Sequence, residues 1–299
     1  MATSPADWLR NGTGLAPRIS WAFSTEAELV CLTLARETGD VFAADRLGAL
    51  YRLNRAGRIQ SMSCNLKDIR SLSFSDTGDA GFAIVGEDGF CALDAKLNVV
   101  WSADSPCKIL GAEIDPYGHN IAMSLDNSDT VLLNIDRKKL SQFHTERPLK
   151  HLRFCTDLPR IIGAGEYGHL CCVGFDGQEI WHEKMWCTIG DLSVTENAKT
   201  IYLAGFAHGI QTFDADGNNE ASFIIEGTPS RVSASHFGDR IVASTVEQQL
   251  YWLDSDGTLL WAAMTPEEVV SVICDPLGEW LILGLQSGRV LRLDWESEG

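Results

Sequence analysis

Positive charge is scarce in this chain: 24 lysines and arginines stand against 41 aspartates and glutamates, a formal net charge of −17 over 299 residues. Such a surface repels polyanions, so direct contact with DNA or RNA over a broad face is not expected, except through a partner that supplies the positive surface. Long apolar runs are missing as well. None approaches the roughly 18 residues that a membrane helix needs. The opening "MATSPADWLRNGTGLAP" has no basic stretch followed by an apolar one, so no secretory signal is expected and the site of action is read as cytoplasmic. Nine cysteines are an odd number, scattered through apolar segments with no Cys-x-x-Cys among them. They read as small hydrophobes in a reducing compartment. The adjacent pair Cys171 and Cys172 points to opposite faces of one strand, which excludes a shared metal.

Recognisable catalytic signatures are absent too: there is no Gly-x-Ser-x-Gly, His-Glu-x-x-His or Gly-x-x-x-x-Gly-Lys. The histidines at 119, 144, 151, 169, 182, 208 and 236 show no ligand spacing. "DADGNNE" (Asp214–Glu220) and "DSDG" (Asp254–Gly257) have the look of calcium loops, yet supply neither a third ligand before the glycine nor a closing bidentate glutamate. They read as turns between adjacent strands. No metal and no cofactor is expected.

What the chain does have is apolar residues, at 45%, and a repeat. Apolar pairs that mark one recurring strand fall at Leu32/Leu34, Leu72/Phe74, Ala112/Ile114, Leu152/Phe154, Leu192/Val194, Val232/Ala234 and Val272/Cys274, each 40 residues after the last. Within a unit that strand is followed by a turn such as "SDTGD" or "DPLGE", a second apolar strand, a short loop often ending in glycine, a third strand, and a last turn into a fourth. Four short strands in a period of roughly 40 residues make one blade of a β-propeller. The sequence therefore predicts an all-β fold, a single seven-bladed propeller over 17–299 behind an N-terminal tail of 1–16. Within that tail "SPADWLR" reads as one helical turn, with Ser4 as cap and Pro5 in the first turn, which docks through Trp8 and Leu9.

Trp101, Trp181 and Trp261 lie in fourth strands, each 11 residues before the next first strand; Trp21 lies 11 before Leu32. "ISWAF" is thus a fourth strand with no blade ahead of it, whereas the seventh unit stops after its third strand, "GRVLRLDW". Pairing of the two closes the ring and covers the edge that an incomplete last blade would leave open. Between the tryptophans, at 61, 141 and 221, stand Ser61, Ser141 and Ala221. That alternation fits interlocking neighbours, and equally the duplication of a two-blade ancestor.

"LDSDGTLLW" (Leu253–Trp261) and "GFDGQEIW" (Gly174–Trp181) resemble the Asp, Gly and Trp endings of pyrroloquinoline quinone (PQQ)-like propeller repeats. The turn "FSDTG" and the blade spacing look like WD-repeat propellers. The resemblance runs from about residue 17 to the end and implies architecture far more than activity, because this fold hosts many unrelated roles. The Trp-Asp dipeptide that names the WD family is absent from the third-strand ends, and the metal and catalytic Asp of PQQ dehydrogenases find no counterparts.

Two groups of residues remain as candidate sites. First strands line the axis of a propeller, which brings Arg70, Lys150, His151, Arg153 and Arg231 toward the channel, against Glu113 and Asp191. They form either a salt-bridged, water-filled channel or a site for an anion or acidic peptide. Loops joining second to third and fourth to first strands share one rim. There Glu166, Tyr167, His169, Trp186, Phe206 and His208 gather from adjacent units as an aromatic patch, a composition typical of protein-interaction hot spots, although Trp186 also suits a cap on the blade interface. The leading expectation is a non-enzymatic scaffold that binds one or more partner proteins through this rim; the alternative is an enzyme or small-ligand sensor of PQQ-like or lactonase-like type working in the channel.

Overall fold

Alternating apolar residues broken by tight turns leave each segment of the repeat only about six residues long, which suits strands that stack side by side in small twisted sheets. The computed structural model describes residues 7–196 and 198–295 and shows seven antiparallel sheets. Blades 1 to 6 take residues 29–63, 69–104, 109–144, 151–184, 189–223 and 229–264 in simple up-and-down order. Blade 7 combines the strands within 269–294 with Arg18–Ser24 as its outer strand. This is the expected seven-bladed propeller.

The expected closure of the ring is observed. Arg18–Ser24 runs antiparallel to Arg289–Asp294, with Trp21 opposite Arg292 and Phe23 opposite Val290. The Arg55 carbonyl in blade 1 accepts hydrogen bonds from Trp21 Nε1 at 3.1 Å and from Arg292 Nη1 at 3.2 Å. Head strand, tail strand and first blade therefore meet at one oxygen.

The core is divided into seven apolar clusters, and each belongs to a pair of neighbouring blades and not to a single one. Phe42 of blade 1 stacks on Phe74 of blade 2 at 3.6 Å between centroids. Cys171 packs between blades 3 and 4 and Cys172 between blades 4 and 5, as opposite faces of one strand require. Burial pushes their thiols up to about 12 and about 11, so both stay protonated and inert.

The spaced tryptophans act as inter-blade clamps. Trp21, Trp101 and Trp181 each donate their indole N–H to the backbone carbonyl 34 residues on, Arg55, Ile135 and Ala215, in the last turn of the next blade. Two of those turns carry a left-handed glycine under the ring. A Cβ at Gly57 would stand 2.6 Å from Trp21, and one at Gly217 would stand 2.7 Å from Trp181. Where the outer strand has Ser61 instead, Arg52 donates to the Ala95 carbonyl at 2.8 Å and buried Leu97 fills the space.

Trp261 breaks the pattern, since 34 residues on stands Trp295, stacked on Trp252 at 4.3 Å. The N-terminal stretch covers it. Asp7–Arg10 is a helical turn with Leu9 2% exposed and Trp8 6.2 Å from the Trp261 ring. Thr13–Gly14 then pairs with Ala262 and Trp261 as a fifth strand on blade 6. Ser4 and Pro5 lie outside the described residues. Among the described residues no helix is long and apolar enough to cross a membrane.

Removing residues 1–25 strips the outer strand from blade 7 and uncovers Trp261. The truncated chain is expected to aggregate or exchange strands between copies, seen as high-mass species in size-exclusion chromatography with light scattering. A monomeric, cooperatively unfolding truncation would contradict this assignment of the closing strand.

Candidate functional site: the rim of blades 4 to 6 and the central channel

Rim loops are where a propeller is free to vary, because its strands are fixed by packing on both faces. In blade 4 the second and third strands are joined through "GEYGH", where Gly168 adopts φ +83°. Met185 N–H donates to the Gly168 carbonyl at 2.7 Å, Ile189 N–H to Glu166 at 3.0 Å and Phe206 N–H to Thr188 at 3.0 Å. These backbone bonds stitch three successive loops of blades 4 and 5 together.

The side chains they carry point outward. Trp186 is 92% exposed, Tyr167 66% and Phe206 40%. Arg147 lies over the Tyr167 ring at 5.8 Å, and Phe206 covers Gly190. Glu166 and His208 are exposed beside them. His169 is placed differently: it is buried and stacks on His182 at 6.0 Å, beneath the surface. Desolvation lowers its pKa. With so little of its ring covered, Trp186 contributes little to the blade interface.

Two further residues extend the row. Ile224, 91% exposed in the loop entering blade 6, and Val246, 58% exposed in that blade's next loop, continue it around the rim. The repeat held the signal: Val246 occupies the position of Phe206, 40 residues on, and Ile224 lies in the loop equivalent to that of Trp186.

All five candidate cations of the first strands line one central cavity of about 420 Å³. The arginine donors are engaged by protein, whereas His151 Nε2 is buried without a hydrogen-bond partner among the described residues. Arg70 Nη1 donates to the carbonyls of Gly86 and Ile109, both at 3.0 Å. Arg231 donates through Nε to Val270 at 2.8 Å and through Nη1 to Ser230 at 2.9 Å. Arg153 lies 3.3 Å from Glu113 and 3.7 Å from Asp191; Lys150 lies 3.7 Å from Glu166. His151 Nδ1 stands 3.6 Å from Asp191, while burial lowers the ring's pKa to about 4 against the pull of that carboxylate. Desolvation raises Glu113, and Arg153 opposes it.

Sequence reasoning missed what holds the inner edges together. Ser73, Ser193 and Ser233 accept the N–H of Ile114, Ala234 and Cys274 in the next blade, at 3.0 to 3.3 Å. Asp191 does the same for Val232 at 3.2 Å. First-strand N–H groups that face the axis are thus satisfied across blades. The serines share one repeat position, which was a readable sign. The "DADG" and "DSDG" carboxylates are likewise used locally: Asp214 Oδ1 accepts from the N–H of Asp216 and Asn218, and Asp254 Oδ1 from Asp256 and Thr258. That is turn geometry.

Fold and geometry define a closed seven-bladed β-propeller with an exposed aromatic row on one rim and an internally paired channel. No family model matches the chain, and no curated protein matches it. Among solved structures it is similar to the β-propeller domain of Cps50 (Swd1) from Myceliophteria thermophila, with a TM-score of 0.80 and 18% identity over 94% of this chain and 100% of that one. At that identity the likeness shows the fold alone.

His151 gives the channel a measurable acid response. Burial holds its folded pKa at about 4, below the ordinary histidine value of about 6.5, so the unfolded chain takes up the proton first. Stability from this group is complete above pH 6.5 and is lost as pH falls toward 4, by about 2 kcal/mol at pH 5 at roughly 1.4 kcal/mol per pH unit. Urea unfolding from pH 6.5 to 5 should therefore be less pH-dependent in His151→Asn than in the wild type, whatever the offset between them. Equal slopes would contradict a neutral, buried His151.

Proposed function

We propose that this protein is a non-enzymatic propeller scaffold that binds one or more partner proteins through the rim of blades 4 to 6. The observation that carries the reading is Trp186, a tryptophan left 92% exposed at the tip of a loop and flanked by Tyr167 and Phe206. Exposed large aromatics on a surface otherwise rich in charge mark contact sites, because burying them on a partner recovers apolar area that folding did not use. The hydrogen-bonded stitching of the three loops supports the reading, since a prearranged surface loses little freedom on binding. Glu166, Tyr167, Phe206 and His208 are the proposed contacts around Trp186, with His169 supporting them from below.

Two further observations support the rest of the proposal. The channel arginines are committed to carbonyls and carboxylates of their own and neighbouring blades, which favours a structural channel over an anion site or a catalytic one. Nine free cysteines, five of them buried, favour a reducing compartment such as the cytoplasm. The charge of −17 favours protein partners over nucleic acid, which would be reached only through a complex.

Affinity purification of the full chain from its native host, compared with Trp186→Ala and Tyr167→Ala, tests the reading. Both variants should keep the wild-type melting temperature, because both rings are mostly exposed, and should lose the same co-purifying protein by at least tenfold. Retention of every partner by both variants would overturn it.

A further inference from the structure

The opposite face carries a second surface that the rim reading does not use. There the loops joining first to second strands ring the lower mouth of the channel, and their tips fall at one repeat position. Tyr117, Phe237 and Leu277 occupy it in blades 3, 6 and 7, and Leu158 lies one residue past it in blade 4. Exposures are 61%, 68% and 67% for the first three and 38% for Leu158. Four bulky apolar side chains are therefore turned to solvent around one opening.

This crown is held rigidly. Glu37 N–H donates to the Asp76 carbonyl at 2.9 Å, Asp76 to Pro116 at 2.8 Å, Glu196 to His236 at 3.0 Å and His236 to Pro276 at 2.9 Å. Backbone bonds thus pass from blade to blade around much of the mouth. Two of the accepting carbonyls belong to prolines, whose φ is fixed, each immediately before a crown residue. Tips mounted on such a ring stay apart instead of collapsing on one another.

The charge around them is one-sided. The seven four-residue loops, residues 36–39 and each fortieth residue onward, contain seven carboxylates and two cations, Arg36 and Lys199. The channel itself is mixed in charge: Asp191 shares a repeat position with Arg231, and Arg153 shares one with Glu113, so the excess of carboxylates lies in the loops at the lower mouth. Burial raises the Asp76 pKa; Arg36 opposes the rise, and Glu37 and Glu196 add repulsion. Carboxylates crowded at a mouth with so few cations gain from a positive group arriving from outside.

We infer that the crown of Tyr117, Leu158, Phe237 and Leu277 is a docking surface for a cationic amphipathic segment of a partner protein, one that presents aliphatic or aromatic side chains among lysines and arginines. Its apolar residues cover the four tips and its charges meet the surrounding carboxylates. A second copy of this chain fits poorly, because two surfaces of like charge would face each other. The surface lies on the face opposite Trp186, so a partner held here and one held at the aromatic rim are compatible.

The test uses the full chain and two labelled synthetic peptides, one alternating lysine or arginine with leucine or tyrosine, and one with glutamate at each basic position. Fluorescence anisotropy should show the basic peptide binding the wild type, weakening as salt is added, and the acidic peptide not binding. The Tyr117→Ser/Phe237→Ser/Leu277→Ser variant should keep its melting temperature and bind the basic peptide at least tenfold more weakly. Asp239→Asn/Glu279→Gln, which leaves the crown intact, should weaken binding and flatten its salt dependence. Trp186→Ala should bind the peptide like the wild type, which separates this surface from the rim. Equal binding of the basic peptide to wild type and crown variant, or no binding to either, overturns the inference.

Discussion

The pairing of Arg18–Ser24 with Arg289–Asp294 is the interaction on which the rest of this molecule depends. A four-stranded blade has two apolar faces and no core of its own; every apolar cluster found here lies between neighbours. An open stack of such units would expose a face at each end and need capping repeats. Joining the ends removes both faces at once. It also makes stability a property of the ring, since the contact between blade 7 and blade 1 forms only when strands nearly the whole chain apart have met. Two donors from opposite ends of the sequence sharing the Arg55 carbonyl express that constraint at atomic scale.

Closure leaves two further demands, and the chain meets them by different means. Outer strands must be kept from splaying, which the tryptophan clamps do by reaching into the next blade's last turn. Inner strands leave N–H groups facing the axis, where the cavity is too narrow for another strand. Serines at one repeat position and Asp191 satisfy them from the neighbouring blade. The same economy explains the channel cations. Arg70 and Arg231 spend their guanidinium donors on carbonyls of the adjoining blade, so residues that look like ligand-binding groups in the sequence are fasteners in the ring.

How much of this was legible follows from which interactions are periodic. The blade count and the closing strand could be read because packing imposes the 40-residue period on apolar positions. The loops that carry Tyr167, Trp186 and Phe206 could be placed for the same reason. Burial of individual side chains was not readable. His169 begins a strand, and strand alternation turns it inward, whereas the residue beside it in sequence, Gly168, ends a loop. The direction taken by long, flexible side chains was equally hidden: nothing in the spacing of Arg70 says that its donors turn to the Gly86 and Ile109 carbonyls. Trp261 looked like its three counterparts and is not, because the N-terminal turn at Trp8 and Leu9 lies on it.

Polarity of the two faces follows from the repeat as well. Every inner strand runs from the upper mouth to the lower, so a residue's place in the strand fixes its depth in the channel. Along the channel the two signs share depths, Arg231 with Asp191 and Arg153 with Glu113, whereas the loops of the lower mouth hold seven carboxylates against two cations. A rigid ring whose two rims differ in charge and in the spacing of their apolar tips is suited to holding different surfaces apart. The strands that separate the rims are buried on both faces, and their packing leaves no soft element between them that one bound partner could displace to alter the other. Under the two proposals made above, the rims are independent sites joined by a spacer, and coupling between them would have to come from the partners themselves.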